Sequence, residues 1–177
     1  GKLEFRDARR KLNFSGTLNA CEELNARNRG FEMVGRGSLN RAPFVMEVYG
    51  GPLLNIDPNK TYPFDADIRA GATRVTAKGG VPEPFDLGDV FVDLTAQGPD
   101  LADLYGLTGL AFPNTPPYRL SGHLVRNEQV YTVTKLTGRV GDSDLGGQLK
   151  VDAGRERPML TTNLSSKRLD FDDLAAI

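Results

Sequence analysis

The block Gly141–Leu145 reads Gly-Asp-Ser-Asp-Leu and contains a serine that could act as the nucleophile of a hydrolase. Such a serine needs a general base, usually a histidine oriented by a carboxylate. The one histidine, His123, lies upstream on a segment that alternates like a strand, and no Asp-x-x-His follows the block. The block also lies in hairpin-like surroundings, without the strand–turn–helix that a nucleophile usually occupies. The sequence therefore favours a turn in which Asp142 and Ser143 make local backbone hydrogen bonds.

Asp65 and Asp67 alternate on one predicted strand face, where paired carboxylates could act as in a glycosidase. Arg69 and Arg74 are close enough in sequence to neutralise them. A solvated strand face is therefore the favoured interpretation of these four residues.

A calcium loop beginning at Asp142 would carry Gly146 at its fifth position and Ala153 at its twelfth, where a bidentate glutamate is needed. The sequence thus predicts no calcium site there. The three aspartates of segment 170–173 are interpreted as helix-start charges, favoured by the helix dipole.

The composition argues against catalytic and metal chemistry. A single cysteine, Cys21, excludes an intrachain disulfide and a multi-cysteine metal site. Lysine and arginine number 22 against 23 acidic residues, a net charge of −1, which lacks the electrostatic footprint of a generic nucleic-acid or acidic-membrane binder. We therefore predict no enzyme activity, no catalytic or metal-ligating residue and no cofactor.

Period-two alternation of apolar and polar residues is the dominant pattern along the chain. It is typical of half-buried strands with one wet face, as in antiparallel sheets. Turn signals separate the alternating segments at short intervals, as in hairpins and meanders. The predicted fold is all-β, an elongated, curved antiparallel sheet of repeated hairpin units. Very short helices are expected near Leu101–Tyr105 and at Cys21–Asn25.

An internal repeat connects the segments Leu94–Leu104 and Leu164–Leu174, which match at a constant offset of 70 residues. In each, a predicted strand runs into a polar turn and then an acidic-apolar half-turn. We interpret residues 1–177 as a single β-groove segment with a repeat spanning roughly 80–104 and 147–174. The strand-like start without an initiator methionine favours a piece of a longer protein.

The apolar members of the alternating segments are predicted to share one face of the sheet, which glycines 16, 35, 37, 122 and 147 interrupt. On this interpretation Val92, Leu94, Leu149 and Leu160 face a groove, while Asp93, Gln148 and Lys150 face water. The alternative is a closed β-sandwich whose second sheet fills the groove. The predicted lining residues are Phe31, Met33, Phe44, Met46, Val48, Phe64, Ile68, Val75, Val90, Val92, Leu94, Leu120, Leu124, Leu136, Leu149, Val151, Leu160 and Leu164.

The segments Pro117–Leu124, Leu136–Asp152 and Leu164–Leu174 resemble the AsmA family of Gram-negative envelope proteins, including its TamB-like members. Asp100–Leu104, followed by Pro116–Leu120, strengthens the match. The resemblance covers residues 30–174. It rests on the amino-acid sequences of these segments and on their order along the chain, and no catalytic residue is among them.

This resemblance implies a parent protein that has one inner-membrane helix and a long periplasmic region, built as a curled sheet with an apolar groove. It implies a non-enzymatic conduit that helps phospholipid transport between the inner and outer membranes. The lining residues above would then contact phospholipid acyl chains, and envelope proteins of either membrane are expected partners. The alternative is a scaffold that assists outer-membrane protein assembly through its strand edges. Nucleic acid is not an expected partner.

Overall fold

The computed structural model of the protein describes residues 1–8, 11–20, 30–53, 56–83 and 89–173. Eleven strands form one sheet in which the spatial order of the strands is their order along the chain. Every neighbouring pair is antiparallel, so the sheet is a continuous meander. The strands are β1 (Lys2–Asp7), β2 (Leu12–Ala20), β3 (Phe31–Leu39), β4 (Ala42–Gly50), β5 (Tyr62–Ala70), β6 (Thr73–Val81), β7 (Asp89–Gly98), β8 (Tyr118–Asn127), β9 (Val130–Val140), β10 (Ser143–Asp152) and β11 (Met159–Ser165).

The predicted all-β class and the open, curved antiparallel sheet are confirmed. Strands of one sheet account for all the β-structure that the described residues form, so a closed sandwich is not present there. The sandwich was compatible with the same alternation because a strand's pleat fixes which residues share a face without determining what covers that face.

Tight turns join several of the strands, and residues with positive φ allow them. Asn40 and Arg41, with φ of 51° and 69°, both take the left-handed conformation between β3 and β4. Two successive left-handed residues match the right-handed twist of the strands that they connect. Gly71 follows β5 with a φ of 58°, and Gly141 follows β9 with a φ of 56°.

These two glycines also mark a repetition in the structure at the offset of 70 residues. Strands β5, β6 and β7 are followed by a 3₁₀ turn at Leu101–Leu104, and strands β9, β10 and β11 by a 3₁₀ turn at Phe171–Asp173. β6 and β10 begin 70 residues apart, as do β7 and β11. The interpretation of the whole chain as one β-groove segment stays a prediction.

A short helix interrupts the meander between β7 and β8, as predicted near Leu101–Tyr105. Its 3₁₀ turn at Leu101–Leu104 continues as an α-helix at Tyr105–Thr108, and we call residues 101–108 the rim helix. Asp100 caps its start, because its carboxylate accepts the backbone N–H of Ala102 at 2.9 Å. The second predicted helix, Cys21–Asn25, lies outside the described residues. None of the helices in the described ranges is long and apolar enough to cross a membrane.

Candidate functional site

The apolar face of the sheet is a surface that runs across all eleven strands. Residues paired across antiparallel strands have their side chains on the same side, so the register assigns each residue to a face. Met46, for example, pairs with Gly35 on one side and with Ile68 on the other, and Ile68 pairs with Val75. Followed from strand to strand, the register places all eighteen predicted lining residues on this one face.

The exposure of these eighteen side chains shows a face that is mostly uncovered. Four of them are buried, twelve are half-buried and two are exposed. The buried ones are Phe44, Val92, Leu136 and Val151, and the exposed ones are Leu160 and Leu164 at 40% and 45%. The apolar face is thus a continuous shallow surface rather than a closed core.

Aromatic rings fill the space above several glycines of the apolar face. A Cβ added to Gly35 would lie 2.6 Å from Cε2 of Phe14, and one added to Gly16 would lie 2.9 Å from Cζ of the same ring. Phe14 also stacks on Phe44 with ring centroids 6.4 Å apart. The absence of a side chain at Gly16 and Gly35 thus leaves room that the Phe14 ring occupies.

Another aromatic pair lies at the end of the apolar face where β3 and β5 begin. The rings of Phe31 and Tyr62 stack at 6.3 Å, and the Tyr62 hydroxyl donates a hydrogen bond to the backbone oxygen of Gly51. Phe14 and Tyr62 were both absent from the predicted lining. The alternation around Phe14 was a signal that could have included it, whereas Tyr62 stands at the very start of its strand.

The rim helix covers one end of the apolar face, where several strands begin or end. Its Leu101 and Leu104 are buried with Tyr118 and Val140, which begin β8 and end β9. At its other end, Gly106 approaches β4 so closely that an added Cβ would lie 2.5 Å from Cβ of Ala42. Burial raises the pKa of the Tyr118 hydroxyl above its ordinary value of 10.0. The rim helix therefore covers the end of the apolar face at which β4, β6 and β8 begin.

The opposite face of the sheet is polar, and it carries the residues predicted to face water. Asp93, Gln148 and Lys150 are each adjacent in sequence to residues of the apolar face, and the register places them on the polar side. Asp93 Oδ1 lies 3.0 Å from Nδ1 of His123 on the neighbouring strand.

Asp67 lies between the two arginines predicted to neutralise it. Its Oδ2 is 2.6 Å from Nη2 of Arg74 and 3.3 Å from Nη2 of Arg69. The hydrogen bonds from Arg74 are the main cause that lowers the pKa of Asp67 below 3.8. Asp65 is outside this network, so only one of the two carboxylates is paired as expected.

Ser143 is not arranged as a nucleophile. It is 2% exposed, and its hydroxyl donates to Oδ2 of Asp173 at 2.8 Å. The register places Ser143 on the apolar face and His123 on the polar face, so the sheet separates the two side chains. The predicted local backbone bonds of Ser143 are replaced by bonds to a segment about 30 residues further along the chain.

The aspartates of segment 170–173 differ in what they do. Asp170 behaves as a helix-start residue, since its Oδ1 accepts the backbone N–H of Asp172 at 3.0 Å. Asp172 and Asp173 lie in the first turn of the 3₁₀ helix, as predicted. Asp173 is in addition buried, and it accepts the backbone N–H groups of Asp142 and Ser143 at 2.9 and 2.8 Å. Through these hydrogen bonds, its carboxylate holds the 3₁₀ turn at Phe171–Asp173 against the hairpin of β9 and β10.

The aspartates of the rejected calcium loop are also used in hydrogen bonding. Asp144 Oδ1 accepts the Ser166 hydroxyl and the backbone N–H of Lys167, both at 2.9 Å, as well as the N–H of Arg168. Over the described ranges, no three histidine, cysteine, aspartate or glutamate side chains are grouped to hold a metal ion.

A relative of this chain is the AsmA family protein YhjG of Escherichia coli (strain K12), which is 35% identical over 153 residues. The aligned region covers 83% of this chain and 22% of the relative, so the chain spans less than a quarter of the relative's length. No family model matches the chain, and no solved structure matches it.

Proposed function

The chain belongs to the AsmA family, and from this premise we propose that it is a non-enzymatic conduit for phospholipid acyl chains in the bacterial envelope. The family relationship supports an envelope-related role. The observation that carries the proposal is the apolar face, which is continuous across the strands, half-buried for most of its length and, among the described residues, uncovered by a second sheet.

The energetics of such a face suit a lipid that slides. Each methylene of an acyl chain that leaves water contributes about 0.8 kcal/mol, so one chain lying along the face supplies ample transfer energy. No charged side chain is needed for this binding. The lipid headgroup would stay at the wet margin of the sheet while the acyl chains lie on residues such as Met46, Ile68 and Leu149.

The wider setting is part of the same proposal. The chain would act within a longer periplasmic protein that is anchored in the inner membrane, and it would pass phospholipid between the inner and outer membranes. The aligned region covers 22% of the relative, so we propose that this segment forms one part of the lipid path and that the remainder of such a protein forms the rest.

Site-specific photocrosslinking in the bacterial envelope tests the proposal. A benzophenone amino acid at Met46, which is half-buried on the apolar face, is expected to crosslink phospholipid that mass spectrometry then identifies. The matched control is Val45, the next residue of β4, which is 51% exposed on the polar face. Equal lipid crosslinking from both positions, or none from Met46, would contradict the conduit.

A second candidate function is a scaffold that pairs with strands of outer-membrane proteins during their assembly. The observation that favours it is the pair of open sheet edges, because β1 and β11 each pair with one strand only within the part of the chain that the structure describes. All seven residues of β11 are exposed, and so are five of the six residues of β1. An open edge of this kind can accept a further strand through backbone hydrogen bonds.

The same chemistry distinguishes the two functions. Benzophenone at Thr161 and Asn163 of β11, which face away from the apolar side, should capture unfolded outer-membrane proteins if the edge is the working surface. Capture of such proteins from β11 without lipid at Met46 would favour the scaffold. Lipid at Met46 without protein at β11 would favour the conduit.

A further inference from the structure

The polar face holds a row of arginines that the net charge of −1 conceals. From β5 to β9 the register aligns Arg69, Arg74, Gln97, Arg119 and Arg139 side by side across five adjacent strands. Neighbouring strands are about 4.8 Å apart, so Arg74 and Arg119 flank Gln97 with backbones about 10 Å apart. Asp67, which is paired with Arg69 and Arg74, offsets one of the four arginine charges, and the row remains net positive at the end of the polar face that lies behind the rim helix.

A depression of about 260 Å³ lies in this row, lined by Arg74, Thr76, Thr95, Gln97 and Arg119. Its floor is β7, which contributes Thr95 and Gln97, and its two walls are the guanidinium-bearing side chains of β6 and β8. The lining contains two cationic groups, two hydroxyls and a carboxamide, and it contains no carboxylate.

The two arginines retain hydrogen-bonding capacity for a ligand. Arg74 uses Nε and Nη2 on Asp67, at 3.0 and 2.6 Å. Arg119 donates through Nη1 to the neutral Oε1 of Gln97 at 2.9 Å. Over the described residues, Arg119 has no acidic partner, so its full charge is available at the depression.

We propose that this depression is a binding site for a phosphate group. A tetrahedral phosphate can accept hydrogen bonds from guanidinium groups on both walls and from the hydroxyls of Thr76 and Thr95 at the same time, with Ser121 as the donor in its 3.0 Å pair with Thr95. A planar carboxylate presents two oxygens in one plane, which match a single guanidinium. The phosphate belongs to a free phosphate ion or to a lipid headgroup. The site lies on the face opposite the apolar one, so it does not depend on the proposed conduit.

Calorimetric titration of the 177-residue chain in a low-salt chloride buffer tests the site with two soluble probes, inorganic phosphate and glycerophosphoethanolamine. Arg119→Gln is expected to weaken binding by about tenfold or more, because a charge-assisted hydrogen bond is lost. Arg119→Lys should restore part of the affinity, since it keeps the charge but not the planar fork. Tighter binding of the phosphodiester identifies a lipid headgroup, and binding of inorganic phosphate alone identifies free phosphate.

Arg36→Gln is the matched control, since Arg36 belongs to the same row through Val45 and Arg69 but lies three strands away from Arg74. It should leave the affinity for both probes unchanged. Equal weakening by Arg36→Gln and Arg119→Gln would show diffuse charge attraction and overturn the site, as would the failure of both probes to bind. Arg119 is exposed, so circular dichroism of its variants should match that of the parent chain.

Discussion

The Ser143 hydroxyl donates to Asp173 and accepts the backbone N–H of Asp170, both at 2.8 Å. With the N–H groups of Asp142 and Ser143 also bound to Asp173, a single buried side-chain pair joins the C-terminal 3₁₀ turn to the start of β10. Together with the bonds from Ser166, Lys167 and Arg168 to Asp144, these hydrogen bonds hold the segment in position.

We expect Ser143→Ala to lower the free energy of unfolding by about 1–3 kcal/mol, because the Asp170 N–H and the Asp173 carboxylate each lose a buried partner. Urea denaturation followed by circular dichroism measures the difference. Ser15→Ala, which removes an exposed hydroxyl from β2, should change it very little. A similar loss of unfolding free energy in both variants would contradict a stabilising role for the Ser143–Asp173 pair.

The same carboxylate predicts a dependence of stability on pH. Hydrogen bonds from Ser143 are the main cause that lowers the pKa of Asp173 below 3.8. A lowered pKa in the folded state means that the contribution is complete above the unfolded value and is lost as the pH falls through the folded one. The free energy of unfolding should therefore fall as the pH drops below about 5 toward the lowered pKa of Asp173.

Asp173→Asn is the variant that isolates this contribution. It should be less stable than the parent chain at pH 7, and its stability should fall less steeply toward pH 2 because the titrating group is absent. Urea denaturation at a series of pH values compares the two slopes. Parallel curves would assign the acid sensitivity to other carboxylates, such as Asp67 and Asp144, whose pKa values are also lowered.

At the scale of strands, close contact between β2 and β3 requires glycine at several positions, of which Gly35 is one. A Cβ on Gly35 would lie 2.6 Å from Cε2 of Phe14 and 2.6 Å from the backbone oxygen of Ser15. We expect Gly35→Ala to destabilise the chain by about 1–3 kcal/mol, the usual cost of overpacking. In Gly146→Ala the new Cβ would meet nothing closer than 3.5 Å, so that variant should unfold at nearly the parent's urea concentration.

Because the apolar face is open, the cost in stability of placing an aspartate on it should depend on how exposed each position is. Leu149 on β10 is half-buried, so water can reach a carboxylate there, and Leu149→Asp should lower the melting temperature only modestly while abolishing lipid co-purification. Val92 is 3% exposed, so Val92→Asp should cost several kcal/mol.

Lys150→Asp is the control on the polar face, and it should retain both stability and lipid. Native mass spectrometry and thermal denaturation provide the two readouts. Unchanged lipid binding in Leu149→Asp would remove Leu149 from the proposed path, and global unfolding of that variant would indicate that the face is covered in solution.

At the scale of the molecule, an open meander has two ends and a protected middle. β8 and β9 have a partner strand on each side and pack against the rim helix through Tyr118 and Val140, whereas β1 and β11 have one partner strand each. Hydrogen–deuterium exchange should therefore be fastest in β1 and β11 and slowest in β8 and β9. Uniform protection across the sheet would indicate that both edges are covered, as in a dimer.

Much of this fold was predictable from the sequence. The pleat of a strand places alternate residues on opposite faces whatever its neighbours are, so alternation alone located most of the strands, though not β9, and separated Leu149 from Lys150. The rim helix was predictable because its cap is local, with Asp100 binding the N–H of Ala102 two residues away. The 70-residue offset was also predictable, because a repeat is detected by comparing segments along the chain and needs no knowledge of the fold.

Tertiary structure decided the features that depend on which strands become neighbours. Only pairing in one sheet distinguishes an open face from a sandwich, brings the Phe14 ring over Gly35 and joins Ser143 to Asp173. It also aligns Arg74 and Arg119, which are 45 positions apart in the sequence, on either side of Gln97. The physical reason is that alternation specifies the face of each residue, whereas its cross-strand neighbours depend on register and strand order, which are properties of the whole sheet.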